Sequence, residues 1–120
     1  MDLTNPVVQL CIASTRAEFE KRIDDARALV QQAWEKSTND FEACVAAHYV
    51  ARYQARSEDA LRWNLESLKR ADAVGDERVK EFYPSLYLNL GHAHEMLGNQ
   101  SESKKYYDLA AKLGIVHQVE

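Results

Sequence analysis

Glycine and proline are scarce in this sequence, with four and two residues in a chain of 120. Runs of β-branched residues are almost absent as well. These shortages exclude a sheet-rich fold punctuated by tight turns and leave helices as the default. Three of the glycines, Gly75, Gly98 and Gly114, fall where helices should end, so no glycine-rich phosphate cradle can be assembled. There are only two cysteines, Cys11 and Cys44, far apart and in no CxxC pair. That excludes a cysteine-based zinc site and a dithiol redox motif. Two buried free thiols in a reducing cytoplasm is the plain reading. A disulfide between Cys11 and Cys44 is the alternative and would need an oxidising compartment.

Positive charge is also in deficit. A net charge of -4 argues against nucleic acid and against an anionic membrane surface, since both need a basic face. No apolar run approaches the length of a membrane span, and no basic segment leads into an apolar stretch at the N-terminus. The expectation is a cytoplasmic protein. What the chain does have is apolar residues at the level of a globular protein, 46 %, and enough length for a single domain with one core.

Apolar residues recur at steps of three and four, the period of helices with one buried stripe. Asn5 and Pro6 start a short apolar helix that Ser14 and Thr15 interrupt. Thr15 and Glu18 then offer a capping box for a second helix, which runs to about Lys36 and buries Phe19, Ile23, Ala26, Val30, Ala33 and Trp34. Asn39 and Glu42 cap a third, to about Gln54. A fourth runs from about Glu58 to Val74, with Ser57 as cap and Gly75 as stop. Asp76 caps a fifth, continuous but kinked at Pro84, whose buried side carries Val79, Phe82, Leu86, Leu90, Ala93 and Leu97. The last starts after Asn99, with Glu102 completing a capping box, and ends at Gly114. Ile115 folds back on it, and residues 117–120 form a frayed tail. The expectation is an all-α fold of five long helices and a short N-terminal one.

Residues 87–110 organise this pattern. Leu90 and Gly91 are followed by His94 one turn later, and then by Ser103, Tyr107 and Ala110 on the return helix. Gly91 and Ser103 let two backbones approach closely; Leu at position 91 would force them apart, whereas Ala is expected to be far milder. This spacing resembles the tetratricopeptide (TPR) repeat, in which Leu-Gly, an aromatic, a small residue, an aromatic and Ala recur in that order. A second, degenerate copy sets Ala60 against Ser103, Asn64 against Tyr107 and Ser67 against Ala110, with Ala47 and His48 in place of Leu90 and Gly91. It lacks the Leu-Gly pair and lies 43 residues upstream, from Ala60 to Ser103, against a usual repeat of about 34. The resemblance implies antiparallel helical hairpins stacked in a short right-handed array. On that reading residues 1–38 are an N-terminal helical extension, 39–75 the degenerate repeat, 76–114 the best-matching repeat and 115–120 a tail.

Chemistry-bearing constellations are few. His92 and His94 are two apart on a helix and point in different directions, so they do not share a metal. His94 and His48 read as core residues, His48 with one hydrogen-bonded nitrogen. No HExxH, paired-cysteine or GxSxG motif is present, and no catalytic residue, metal or cofactor is assigned. The resemblance implies binding of a protein or peptide in a concave groove lined by the first helix of each pair, with Tyr49, Arg52, Tyr53, Asn89 and His92 as the contacting residues. The lysines of the carboxylate-binding subtype are missing. The function read from the sequence is therefore a non-catalytic adaptor or regulatory module. The alternatives are a homo-oligomerisation unit, dimeric through residues 7–12 or the last helix with Tyr106 and Leu109, and a small helical enzyme or metal protein using His48 or His92.

Overall fold

In the computed structural model, which describes residues 2–114, every regular element is a helix. They are α1 (Pro6–Phe19), α2 (Ile23–Lys36), α3 (Asp40–Arg52), α4 (Ser57–Val74), α5 (Glu77–Lys80), α6 (Tyr83–Met96) and α7 (Gln100–Lys112). Three antiparallel hairpins result, α1/α2, α3/α4 and α6/α7. The first packs on the second through α1 and α2 against α3, and the second on the third through α4 against α6. Ile115 and the tail at 117–120 lie outside the described residues.

Both helices of each hairpin start in step with those of the next. Pro6 and Asp40, which open α1 and α3, are 34 residues apart, as are Ile23 and Ser57, which open α2 and α4. The next step is 43 residues, from Asp40 to Tyr83 and from Ser57 to Gln100. The additional residues form the end of α4 and the short α5, whose Val79 is buried and enters the core with Phe82. Within the N-terminal extension, α1 and α2 thus form a hairpin with the same phase as the other two.

Two boundaries differ from the sequence reading, each for a local reason. Ser14 and Thr15 do not interrupt the first helix, because their hydroxyls donate back to the Cys11 carbonyl (2.6 and 3.3 Å), a bond that Ser and Thr can make inside a helix. The chain turns instead at Lys21, which adopts a left-handed conformation (φ 65°). The Arg22 amide donates to the Ala17 carbonyl (2.7 Å) and the Lys21 amide to that of Glu18 (2.9 Å), the bond pair of a Schellman cap. The second difference is at Pro84. The helix after Asp76 is broken at residues 81–82, not kinked, and Pro84 lies in the first turn of α6, where its missing N–H removes no helical bond.

Ser57, expected as the cap of α4, is instead its first residue, and Arg56 at the N-cap makes no side-chain capping bond; the remaining ends mostly follow the residues that announced them. Asn5 accepts from the amides of Val7 and Val8, and Asn39 from that of Glu42. Gly75 closes α4 in the left-handed region. Asn99 is an exception. It makes no capping bond to α7; its side-chain amide lies 3.2 Å from His94 Nδ1 instead.

The core runs along the stack. Val7, Val8 and Cys11 of α1 join Phe41, Cys44 and Val45 of α3 and Leu86 of α6 in one cluster. The apolar segment at 7–12 is therefore spent largely within the chain, as is Tyr106 against the ring of His94. Both thiols are free and buried, and burial pushes that of Cys11 up to about 12. The contact at Gly91 is tighter than the sequence suggested. A Cβ there would meet the Tyr107 ring at 2.7 Å, so even alanine requires the ring to move.

Candidate functional site

The equal phase of the hairpins brings one position of each first helix into a line: Thr15 of α1, Tyr49 of α3 and His92 of α6. All three border a cleft of about 510 Å³, together with Arg52 and Asn89. Its far wall is α4, which contributes Asn64, and its end is the turn carrying Arg56. No carboxylate is among the residues lining it.

Four of the five residues expected in a common groove therefore share this cleft. The fifth, Tyr53, does not. It is buried among Ala17, Ala26 and Val30, and its hydroxyl donates to the Ser14 carbonyl (3.4 Å). The step of four that pairs it with Tyr49 holds only inside a helix, and α3 ends at Arg52. The first hairpin does not fill the groove. It flanks it, with Thr15 on the wall and Glu18 reaching Arg52.

Arg52 is not a free guanidinium. It donates to both oxygens of Glu18 (Nε to Oε1 2.9 Å, Nη2 to Oε2 2.8 Å), and these bonds hold the Glu18 carboxyl below its ordinary value. Tyr49 is half-buried and packs against the core. His92 and Asn89 are exposed on α6.

One cleft residue departs from its sequence reading, and a second was not singled out by it. His48 was expected to have a hydrogen-bonded nitrogen, yet its buried Nδ1 has no partner. Its ring stands edge-on to those of Tyr49 and Phe82. Burial first, and the charge of Arg52 second, push its pKa down, so it is neutral at pH 7. Asn64, only 4 % exposed, likewise has an Oδ1 with no partner. Its signal was present in the sequence, where Asn64 aligns with Tyr107, a polar residue in an apolar slot.

Chemically, the cleft offers hydrogen-bond donors and acceptors and a rim whose two arginines pair with Glu18 and Glu58 outside the lining. Among the described residues no group of three or more His, Cys, Asp or Glu side chains is placed to hold a metal ion. No described helix is long and apolar enough to cross a membrane. Comparison with protein-family models, with curated proteins and with solved structures gives no match to this chain.

Proposed function

We propose that this chain is a non-catalytic, TPR-like adaptor or regulatory module that binds a protein or peptide partner in the cytoplasm. One observation carries the reading: the cleft bordered by Thr15, Tyr49 and His92, one from each hairpin. Such a cleft suits an extended segment laid across successive first helices, with Tyr49 giving area and Asn89, His92 and the arginine rim giving polar contacts. The 34-residue step from the first to the second hairpin supports the family resemblance. The two free buried thiols support a reducing compartment.

The test is affinity capture from native cells with the wild-type chain and with an Asn89→Ala, His92→Ala double variant. Both side chains are exposed, so the variant should melt like wild type. Tyr49 and Arg52 serve less well, being tied into the core and to Glu18. A partner retained by wild type and lost by the variant supports the reading. The same partners on both sink it.

A homo-oligomerisation unit is favoured by one feature, the 88 % exposure of Phe19 at the first turn. Light scattering of wild type and Phe19→Ser at high concentration separates the two. A dimer abolished by the substitution selects the second reading.

A further inference from the structure

We infer that Asn64 is a ligand-reading residue, and that the cleft it floors takes a peptide main chain with an acidic side chain beside it. This rests on the peptide-binding reading above and names the contact that would carry it. Buried polar atoms almost always find a partner. Here two lining one cleft, Asn64 Oδ1 and His48 Nδ1, have none. The equivalent slots elsewhere show that the fold does not need them: the first hairpin has Val30 where the second has Asn64, and the third has Gly91 where the second has His48.

The chemistry of the vacant partner follows from the groups. An Asn amide carries an acceptor and two donors on one planar group, matching the N–H and C=O of a peptide unit. No protein bond fixes the Asn64 oxygen, and its amide torsion is broad and roughly two-fold, so either end can turn to the cleft. Arg52 and Arg56 line the cleft while the carboxylates they pair with, Glu18 and Glu58, stand outside its lining, so a cationic side chain finds no partner on the rim. An acidic side chain can accept from the guanidinium N–H groups that those pairs leave over on the same rim. His48, neutral, can accept or donate without adding charge.

The test uses full-length ¹⁵N-labelled protein and three blocked hexapeptides of alternating sequence, Ala-Glu, Ala-Gln and Ala-Lys. Titration should shift the Asn64 side-chain amide in the order Ala-Glu, Ala-Gln, Ala-Lys. Asn64→Leu should weaken Ala-Glu binding by about tenfold, the worth of one buried hydrogen bond with its desolvation, while melting no lower than wild type. Asn64→Val, which copies Val30, serves if leucine does not fold. A merely structural asparagine would instead melt lower on substitution and leave the affinity unchanged, which would overturn the inference. Ala-Glu binding that survives in Asn64→Leu overturns it while leaving peptide binding intact. No shift with any of the three peptides at millimolar concentration also overturns it, and the partner-binding reading then stands or falls on its own capture test.

Discussion

The second and third hairpins solve the same packing problem in opposite ways. In α6/α7 the ring of Tyr107 sits on Gly91, so close that no Cβ fits between them. In α3/α4 the corresponding positions carry Asn64 and His48, and each keeps a buried polar atom without a partner. The third hairpin has put its crossing to structural use. The second has kept polar groups beside an open cleft, where an apolar pair would be the more stable choice. Hairpins of one architecture thus differ at the same crossing: one closes it with a ring on a glycine, and the other leaves polar groups beside a cleft.

The sharpest way to break this comparison is at Gly91. Gly91→Leu should destabilise by about 3 kcal/mol, the upper part of the overpacking range. Gly91→Ala should still cost about 1 kcal/mol, because the clash with Tyr107 outweighs the gain in helix propensity. A urea melt that finds the alanine variant as stable as wild type would mean that the Tyr107 ring yields freely. The close contact would then not distinguish the third hairpin from the second.

The middle hairpin should respond with the opposite sign. Asn64→Leu removes an unsatisfied buried group and fills its slot with carbon, so it should stabilise by about 1–2 kcal/mol. A loss of stability on the same scale would show that the Asn64 amide is satisfied in solution by ordered water. The contrast between the hairpins would then reduce to shape.

The turns extend the comparison to the first hairpin. Lys21 and Gly98 occupy the same place in two Schellman caps. At the second cap the Asn99 amide donates to the His94 carbonyl (2.8 Å) and the Gly98 amide to that of Glu95 (3.1 Å). Lysine in the left-handed region is strained by about 1 kcal/mol, and glycine is not. Lys21→Gly should therefore raise stability by about 1 kcal/mol, and Gly98→Lys should lower it by a similar amount. Equal melts for Lys21→Gly and wild type would remove strain from the account of the first turn.

That lysine also explains what the sequence concealed. Breaks announced by a specific chemistry were legible: the caps at Asn5, Asn39 and Asp76, and the stops at Gly75 and Gly98. A left-handed lysine announces nothing, while Ser14 and Thr15 resemble a helix start although their hydroxyls bond inside α1. With the break misplaced, the first hairpin read as one short helix and one long one. Its 34-residue relation to the second stayed hidden, although Ala26 precedes Ala60 and Ala33 precedes Ser67 by that step. Small residues pack helices without marking them. The groove was legible where residues lie within helices, as with Tyr49, Arg52, Asn89 and His92. It failed at Tyr53, beyond the end of α3.

The smallest expected effect lies where the first and second hairpins meet at the rim of the cleft. Glu18 and Arg52 form a two-pronged ion pair between α1 and α3, and the pair lowers the pKa of Glu18. A carboxyl whose folded pKa lies below its unfolded value contributes stability above the unfolded value, near pH 4.5. That contribution is lost as the pH falls through the folded value. Arg52 is exposed and Glu18 partly so, so the contribution of the pair is about 0.5 kcal/mol, and salt reduces it. Urea melts of wild type, Glu18→Gln, Arg52→Ala and the double variant at pH 7 should give a coupling of that size, and the same cycle at pH 3 should give a smaller one. The third hairpin provides the control. Glu95, at the position equivalent to Arg52, accepts a hydrogen bond from the Tyr107 hydroxyl (3.3 Å), a contact within one hairpin and not between two. A coupling that is unchanged at pH 3 would mean that Arg52 holds α1 by the packing of its stem, and that its guanidinium is freer to meet an acidic partner than the ion pair implies.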